Sequence, residues 1–235
     1  MQYKTIPPEL YDEFTLNGQI PVINNYCDQS AASNPQNWET SVIDATLQKA
    51  RVKQPLCYSE DEFLYLALEK YRAHIANKDV LVVGSEQPGY ECILLSYDAN
   101  PFTIDFRPII CHDPRIKTLT AKEFEMNPRT FDAFLSVSSI EHDGLGRYGD
   151  PINPRGDLLF MERAKTLIKK DGLFFLHVPI GKDYLVFNLH RVYGKLRLPL
   201  LLKGWRLIDT FGYTDEMLER EPTDYRQPCL VLTPE

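Results

Sequence analysis

At 235 residues, 43% hydrophobic and 25% charged, the chain has room for one large core and the make-up of an ordinary globular protein. A formal net charge of −7 argues against nucleic acid as the default partner, because binding phosphate needs a basic footprint. No apolar run approaches the roughly 18 residues of a membrane span, the N-terminal MQYKTIPPELYDEF lacks the order of a signal peptide, and five scattered cysteines without a C-x-x-C pair fit a reducing, cytoplasmic setting.

Residues 1–40, rich in Pro, Asn, Gln and Ser, carry no sustained period and predict an irregular arm over the body. Helices are expected over Thr40–Val52 and Ser59–Ile75, the second opened by a Ser59/Glu62 capping box, with Phe63, Leu66, Leu68 and Tyr71 on its apolar face. The run KDVLVVGSEQPGYECILLSYDA then reads as a strand, a glycine turn and a helix from Pro88. Strands are expected at 102–106 (FTIDF), 116–120 (IKTLT) and 131–139 (FDAFLSVSS). A helix over GDLLFMERAKTLIKKDG follows, with Leu158, Met161, Lys165 and Ile168 on one face, Lys169 and Lys170 in its last turn and Gly172 closing it. LFFLHV (173–178), WRLIDTF and CLVLTP complete the strands. Strands alternating with helices imply an α/β fold: a doubly wound, largely parallel, Rossmann-like sheet with helices on both faces, spanning 78–235, and a helical and irregular extension over 1–77.

Two basic features stand out against the acidic whole. Phe160–Arg206 holds ten Lys or Arg against three acids, which fits a charged helix with solvated side chains, or a face for an anionic ligand or lipid surface. Within it, RVYGKLRLPLLLKGWR suits a loop covering the cleft, broken at Pro199, with a peripheral membrane-edge contact as the alternative.

In a doubly wound sheet, ligands bind beyond the carboxyl ends of the strands. That rule collects Gly84, Ser85, Glu86 and Gly89 after the first strand, Asp105 after the second, and Ser138, Glu141, His142 and Asp143 after the fourth. A glycine turn lets backbone approach a ligand, and an acid about twenty residues on suits a ribose diol; Asp105 is twenty-one residues beyond Gly84, so the spacing predicts a nucleoside-containing cofactor. GSEQPG is not G-x-G-x-x-G, which disfavours a nicotinamide-dependent oxidoreductase.

His142 is the side chain best suited to move a proton near neutral pH, with Glu141 and Asp143 beside it; a loop cap or a surface pair is the alternative reading of Glu141-His142. Arg147, Tyr148, His190 and Arg191 are expected to bind a polar substrate, while Asp150 before Pro151 locks its own loop. His177 reads as a core histidine. No histidine or cysteine spacing supports a metal site.

These pieces, VLVVGSEQPG, the acid of TIDF, FDAFLSVSSIEH and LIKKDGLFFLHVP, resemble the class I S-adenosylmethionine-dependent methyltransferases over roughly Asp79–Pro234. More closely, SSIEHDGLGRYGDP, DGLFFLHVPIGKD and FNLHRVYG look like an uncharacterised, nematode-rich family, domain of unknown function 268. The resemblance implies S-adenosylmethionine as cofactor, Gly84 against it, Asp105 on its ribose, Ser138–His142 bordering the methyl-transfer pocket, and a small polar acceptor, a carbohydrate among the possibilities. Glu86 replaces the second glycine of the methyltransferase turn; its carboxylate either meets the cofactor's ammonium or spoils binding, and the latter implies a catalytically silent binding module.

Overall fold

The structure is a computed structural model that describes residues 3–29 and 35–235. Part of the expected irregular arm, residues 1–2 and 30–34, lies outside the described residues. The rest of the arm is more regular than its composition predicts. A short helix α1 (Tyr11–Thr15) precedes strand β1 (Val22–Asn24), and strand β2 (Gln36–Trp38) leads into helix α2 (Thr40–Arg51). Strands this short register weakly as sequence patterns; each exists because a partner far along the chain supplies its hydrogen bonds.

Helix α3 covers Asp61–Lys70, and its start corrects the expected capping box. The Ser59 hydroxyl donates to Glu60, while the Asp61 carboxylate accepts the backbone N–H groups of Leu56 and Cys57 at 2.8 Å each. One buried carboxylate accepting from two backbone groups of the preceding loop fixes the entry to the helix more firmly than a single hydroxyl could. The buried face also differs from the expected one: Leu64, Tyr65, Ala67 and Leu68 point inward and Leu66 is exposed.

Next come β3 (Asp79–Val83), helix α4 (Gly89–Ser96), β4 (Asn100–Asp105), β5 (Ile109–Cys111), β6 (Lys117–Thr120), helix α5 (Ala121–Met126) and β7 (Phe131–Val137). Helix α6 (Gly156–Leu167) hands over to β8 (Ile168–His177); then follow β9 (Tyr184–Phe187), β10 (His190–Val192), helix α7 (Arg197–Leu201), β11 (Trp205–Phe211) and β12 (Cys229–Pro234). The main sheet has seven strands in the order β11-β12-β8-β7-β3-β4-β6. From β8 to β6 the pairs are parallel, whereas β12 runs antiparallel to both β8 and β11. The largely parallel, doubly wound expectation therefore holds.

Alternation within the strands builds two cores. Val80 and Val82 of β3, Leu135 of β7 and Phe175 of β8 face α2, α3 and α4, whereas Leu81, Val83, Phe134 and Phe174 face α5, α6 and α7. Successive side chains of a strand point to opposite faces, so a continuous apolar run fills both layers.

Helix α6 ends earlier than expected. Ile168 is already extended and pairs with Phe131, and Lys169 and Lys170 lie in β8 rather than in a last helical turn. Burying a β-branched side chain against the neighbouring strand outweighs the weak helical propensity there. The inward face of α6 is Asp157, Met161, Ala164 and Leu167 rather than Leu158 and Lys165.

The segment expected to cover the cleft is instead helix α7 with a hairpin before it. Pro199 is the third residue of α7, where its missing N–H has no helical acceptor to lose, and Leu198 and Leu201 pack into the core beside α6. Strands β9 and β10 form an antiparallel pair, and β1 adds to β9 in parallel, so residues expected to be an arm complete a second small sheet. No helix among the described residues is long and apolar enough to cross a membrane.

Candidate functional site

Strands β3, β4 and β6 step one way across the sheet and β7 and β8 the other, so the order reverses between β3 and β7. At such a point the loops above two neighbouring strands diverge and leave a crevice. A cleft of about 610 Å³ occupies it, lined in part by Gly84, Ser85, Asp105, Ser138 and Glu141.

The first wall is the turn after β3. Gly84 has φ +69°, and a Cβ there would stand 2.4 Å from Ser139 Oγ, so both the left-handed backbone and the close approach of the β7 loop require glycine. The Ser85 N–H donates to Asp105 Oδ2 at 3.1 Å, tying the turn to the end of β4. Ser85 Oγ lies 3.2 Å from Glu91 Oε2, and Thr103 Oγ1 donates to Glu91 Oε1 at 2.6 Å. Glu91, on α4 and fully buried, thus anchors the turn from beneath, and burial pushes its carboxyl up to about 7. Burial also raises the Asp105 carboxyl.

Phe106, half exposed, and Arg107 extend this wall. Arg107 lies 3.7 Å from Asp105, 3.6 Å from Glu86 and 5.5 Å from the centre of the Tyr148 ring, so its guanidinium bridges both acids and the opposite loop. Gly89 does not line this cleft: it faces Cys57, where a Cβ would meet Sγ at 2.5 Å, so its smallness serves packing.

The second wall is the loop after β7. Ser138 Oγ donates to Glu141 Oε1 at 2.8 Å, and the buried Oε2 has no hydrogen-bond partner among the described residues. Burial raises the Glu141 carboxyl to about 7. His142 Nδ1 is hydrogen-bonded to the Leu189 carbonyl, which requires that nitrogen to carry the proton and leaves Nε2 with its lone pair, 3.8 Å from Glu141 Oε1. Burial lowers the imidazole to about 4. Burial likewise raises the Asp143 carboxyl well above its ordinary value, helped by nearby Asp150.

Asp150 holds the loop: its Oδ2 accepts the N–H groups of Gly144 and Gly146 at 2.8 and 3.1 Å. Arg147 and Tyr148 line the cleft, the guanidinium 5.1 Å from the ring centre, with Arg147 Nε donating to Gln29 Oε1 at 2.7 Å. The arm, expected over the body, therefore touches the site.

His190 lines the cleft and Arg191 does not. Neighbouring residues of β10 point to opposite faces. The buried Arg191 guanidinium bonds the carbonyls of Glu141 and Asp143 at 3.2 and 2.7 Å and lies 3.7 Å from Asp157. It positions the loop from behind rather than meeting a substrate. His177 is buried, its Nδ1 3.2 Å from the Gln227 carbonyl.

Sequence patterns did not single out Tyr58, Arg107 or Tyr225, all of which line the cleft. Tyr58 precedes α3 and Tyr225 precedes β12, so only tertiary packing brings them to one place. Among the described residues no group of three His, Cys, Asp or Glu side chains is arranged to hold a metal ion.

Solved structures share the architecture. One is the 1,6-didemethyltoxoflavin-N1-methyltransferase of Burkholderia thailandensis, crystallised with 1,6-didemethyltoxoflavin and S-adenosylhomocysteine. It is 14% identical, with a TM-score of 0.57, over 92% of this chain and 93% of that one. Another is the PH0226 protein from Pyrococcus horikoshii OT3, 14% identical with a TM-score of 0.50 over 75% of this chain and 90% of that one. At such identities the likeness is one of fold. No curated protein matches the chain. Residues 77–226 match the family model described as "Caenorhabditis protein of unknown function, DUF268", and the chain belongs to that family.

Proposed function

We propose that the cleft binds S-adenosylmethionine and transfers its methyl group to a small acceptor. The observation that carries this reading is that one cleft joins two things at the strand reversal: a glycine turn hydrogen-bonded to Asp105, and a buried Glu141 beside His142 facing it from the loop after β7. The residues suit the cofactor. Gly84 lines the cleft with bare backbone, Asp105 can accept from a ribose diol, Phe106 offers a ring face to a base, and the turn around Ser85 and Glu86 faces the amino-acid end. When bound, the cofactor supplies an electrophilic methyl group. The chain's own part is to align the acceptor, exclude water and hold a proton at Glu141 or His142.

The acceptor in this reading is small and polar, a carbohydrate among the candidates, met by Asp143, Arg147, Tyr148 and His190, and nucleic acid is not proposed as a partner. A reducing, cytoplasmic setting belongs to the same proposal and is supported by five free cysteines. One observation favours a second reading, a catalytically silent binding module: Arg107 spans Glu86 and Asp105 and would have to share the ribose acid with a cofactor.

Calorimetric titration with S-adenosylmethionine, S-adenosylhomocysteine and NAD tests the choice. The proposal expects the first two to bind and Asp105→Ala to weaken them about 10- to 100-fold, the loss of a charge-assisted hydrogen bond. Binding of neither sinks the cofactor reading, and binding of NAD alone moves the chain to a different chemistry.

A further inference from the structure

Glu141 Oε2, like Arg107 Nε and the Tyr90 hydroxyl, is a buried polar atom of a cleft residue without a hydrogen-bond partner among the described residues. A buried carboxylate oxygen without a donor costs folding free energy, and a bound group that brings an N–H or O–H removes that cost. What surrounds it narrows the choice. Tyr58, Tyr148 and Tyr225 arrive from three separate segments and line the same cleft as Glu141; burial raises each phenol, and the Glu141 charge adds to it. Two imidazoles continue the ring. His142 lies 5.8 Å from Tyr148 and 6.4 Å from His190, and His190 lies 5.7 Å from Tyr225.

Aromatic rings around a carboxylate attract an organic cation through both the ring quadrupoles and the charge. An anion gains nothing from Glu141, and a neutral hydroxyl gains only a hydrogen bond. Three guanidiniums stand near and oppose a cation in part: Arg147 stacks on the Tyr148 ring and bonds Gln29, Arg191 bonds backbone carbonyls behind the wall, and Arg107 lies 3.7 Å from Asp105 on the opposite wall, its buried Nε without a hydrogen-bond partner among the described residues.

We infer that the acceptor is an amine, a small organic base whose nitrogen enters the box of Tyr58, Tyr148 and Tyr225 and meets Glu141 Oε2. This rests on the methyl-transfer reading above. The entering ammonium gives one N–H proton to the Glu141 carboxylate. The freed nitrogen lone pair forms the N–C bond as the S–C bond of the sulfonium breaks, and sulfur keeps that electron pair, leaving S-adenosylhomocysteine and a methylated ammonium. Glu141 then releases its proton to water. A carboxyl held near 7 by burial is suited to both halves of that exchange.

The test is calorimetric titration of the full chain, saturated with S-adenosylhomocysteine, using 2-phenylethylamine, its neutral counterpart 2-phenylethanol, and methyl β-glucoside. The amine should bind about tenfold or more tighter than the alcohol. Glu141→Gln should abolish that preference while changing S-adenosylhomocysteine affinity less than about twofold. Tyr58→Leu, at a residue 47% exposed and so outside the core, should weaken the amine about two- to fivefold and leave the alcohol unchanged. Equal or tighter binding of the alcohol or the glucoside, no binding of the amine, or an amine preference that survives Glu141→Gln would each overturn the assignment. If S-adenosylhomocysteine does not bind, the methyl-transfer reading fails separately, and the same three titrations on the unloaded chain still decide the amine.

Discussion

At neutral pH His142 is an uncharged imidazole whose tautomer is already chosen by the Leu189 carbonyl, so its Nε2 accepts a proton without any rearrangement. His142→Ala should leave S-adenosylhomocysteine affinity within about twofold and slow turnover about 100-fold or more, measured in single-turnover assays once an acceptor is supplied. Glu141 supports a second prediction, through stability. Glu91 and Glu141, both pushed up to about 7 by burial, stabilise the fold in their protonated form. That contribution is complete below the ordinary value of 4.5 and is lost as pH rises through about 7. His142 and His177, lowered to about 4 by burial, act in the opposite sense: their contribution is present above 6.5 and lost as pH falls through about 4. The two sets oppose one another at intermediate pH, so above 6.5 the carboxyls are the group of the two that still titrates. Glu141→Gln should therefore raise the Tm at pH 8 by about 2–4 °C, the shift of about 1 kcal/mol in a chain of this size, and leave it unchanged at pH 5. A lower Tm at pH 8 would mean that the ionised carboxylate is what the fold needs.

Among the elements, α6 carries the heaviest electrostatic commitment. Burial opposes the charge of Asp157, yet Arg191 and Arg197 outweigh it and hold that carboxyl below its ordinary range. Arg197 meets it through Nε at 2.9 Å and through its terminal nitrogen at 2.6 Å, and Tyr193 adds its hydroxyl at 3.0 Å. Asp157→Ala should cost about 3–5 kcal/mol in urea unfolding, because two buried guanidiniums lose their counter-charge. A loss below about 1 kcal/mol would show that the arginines are satisfied by backbone carbonyls alone. Helix α5 is tied more lightly. Its capping box joins Thr120 and Glu123, and Thr120→Ala should cost about 1 kcal/mol in the same measurement.

On the scale of the whole molecule, the N-terminal segment is part of the architecture that shapes the cleft. Asn188 accepts the Cys27 N–H at 2.8 Å and donates to the Cys27 carbonyl at 2.9 Å, which closes the small sheet over the loop held by Asp150. Asn188→Ala should speed amide exchange in β1 and β9 while β3 and β7 keep their protection; unchanged exchange would mean that strand pairing alone retains the segment. Legibility in the sequence follows the range of the forces involved. The apolar runs of β3, β7 and β8 and the step from Gly84 to Asp105 were readable because strand alternation and the length of one strand-helix-strand unit are local properties. His190 and Arg191 were read as a pair facing the cleft, since nothing local marked β10 as a strand that would send them to opposite sides. The early end of α6 was missed for a related reason: Ile168 becomes a strand residue only when Phe131 is beside it. Local pattern thus determined the alternating α/β order, the two apolar layers and the positions from which a ligand would be met. Tertiary structure alone decided that Tyr58 and Tyr225 line one cleft with Tyr148 and Glu141 and that Arg191 turns away, because contacts between residues distant in the chain are selected by packing and burial, which leave no periodic mark in a sequence.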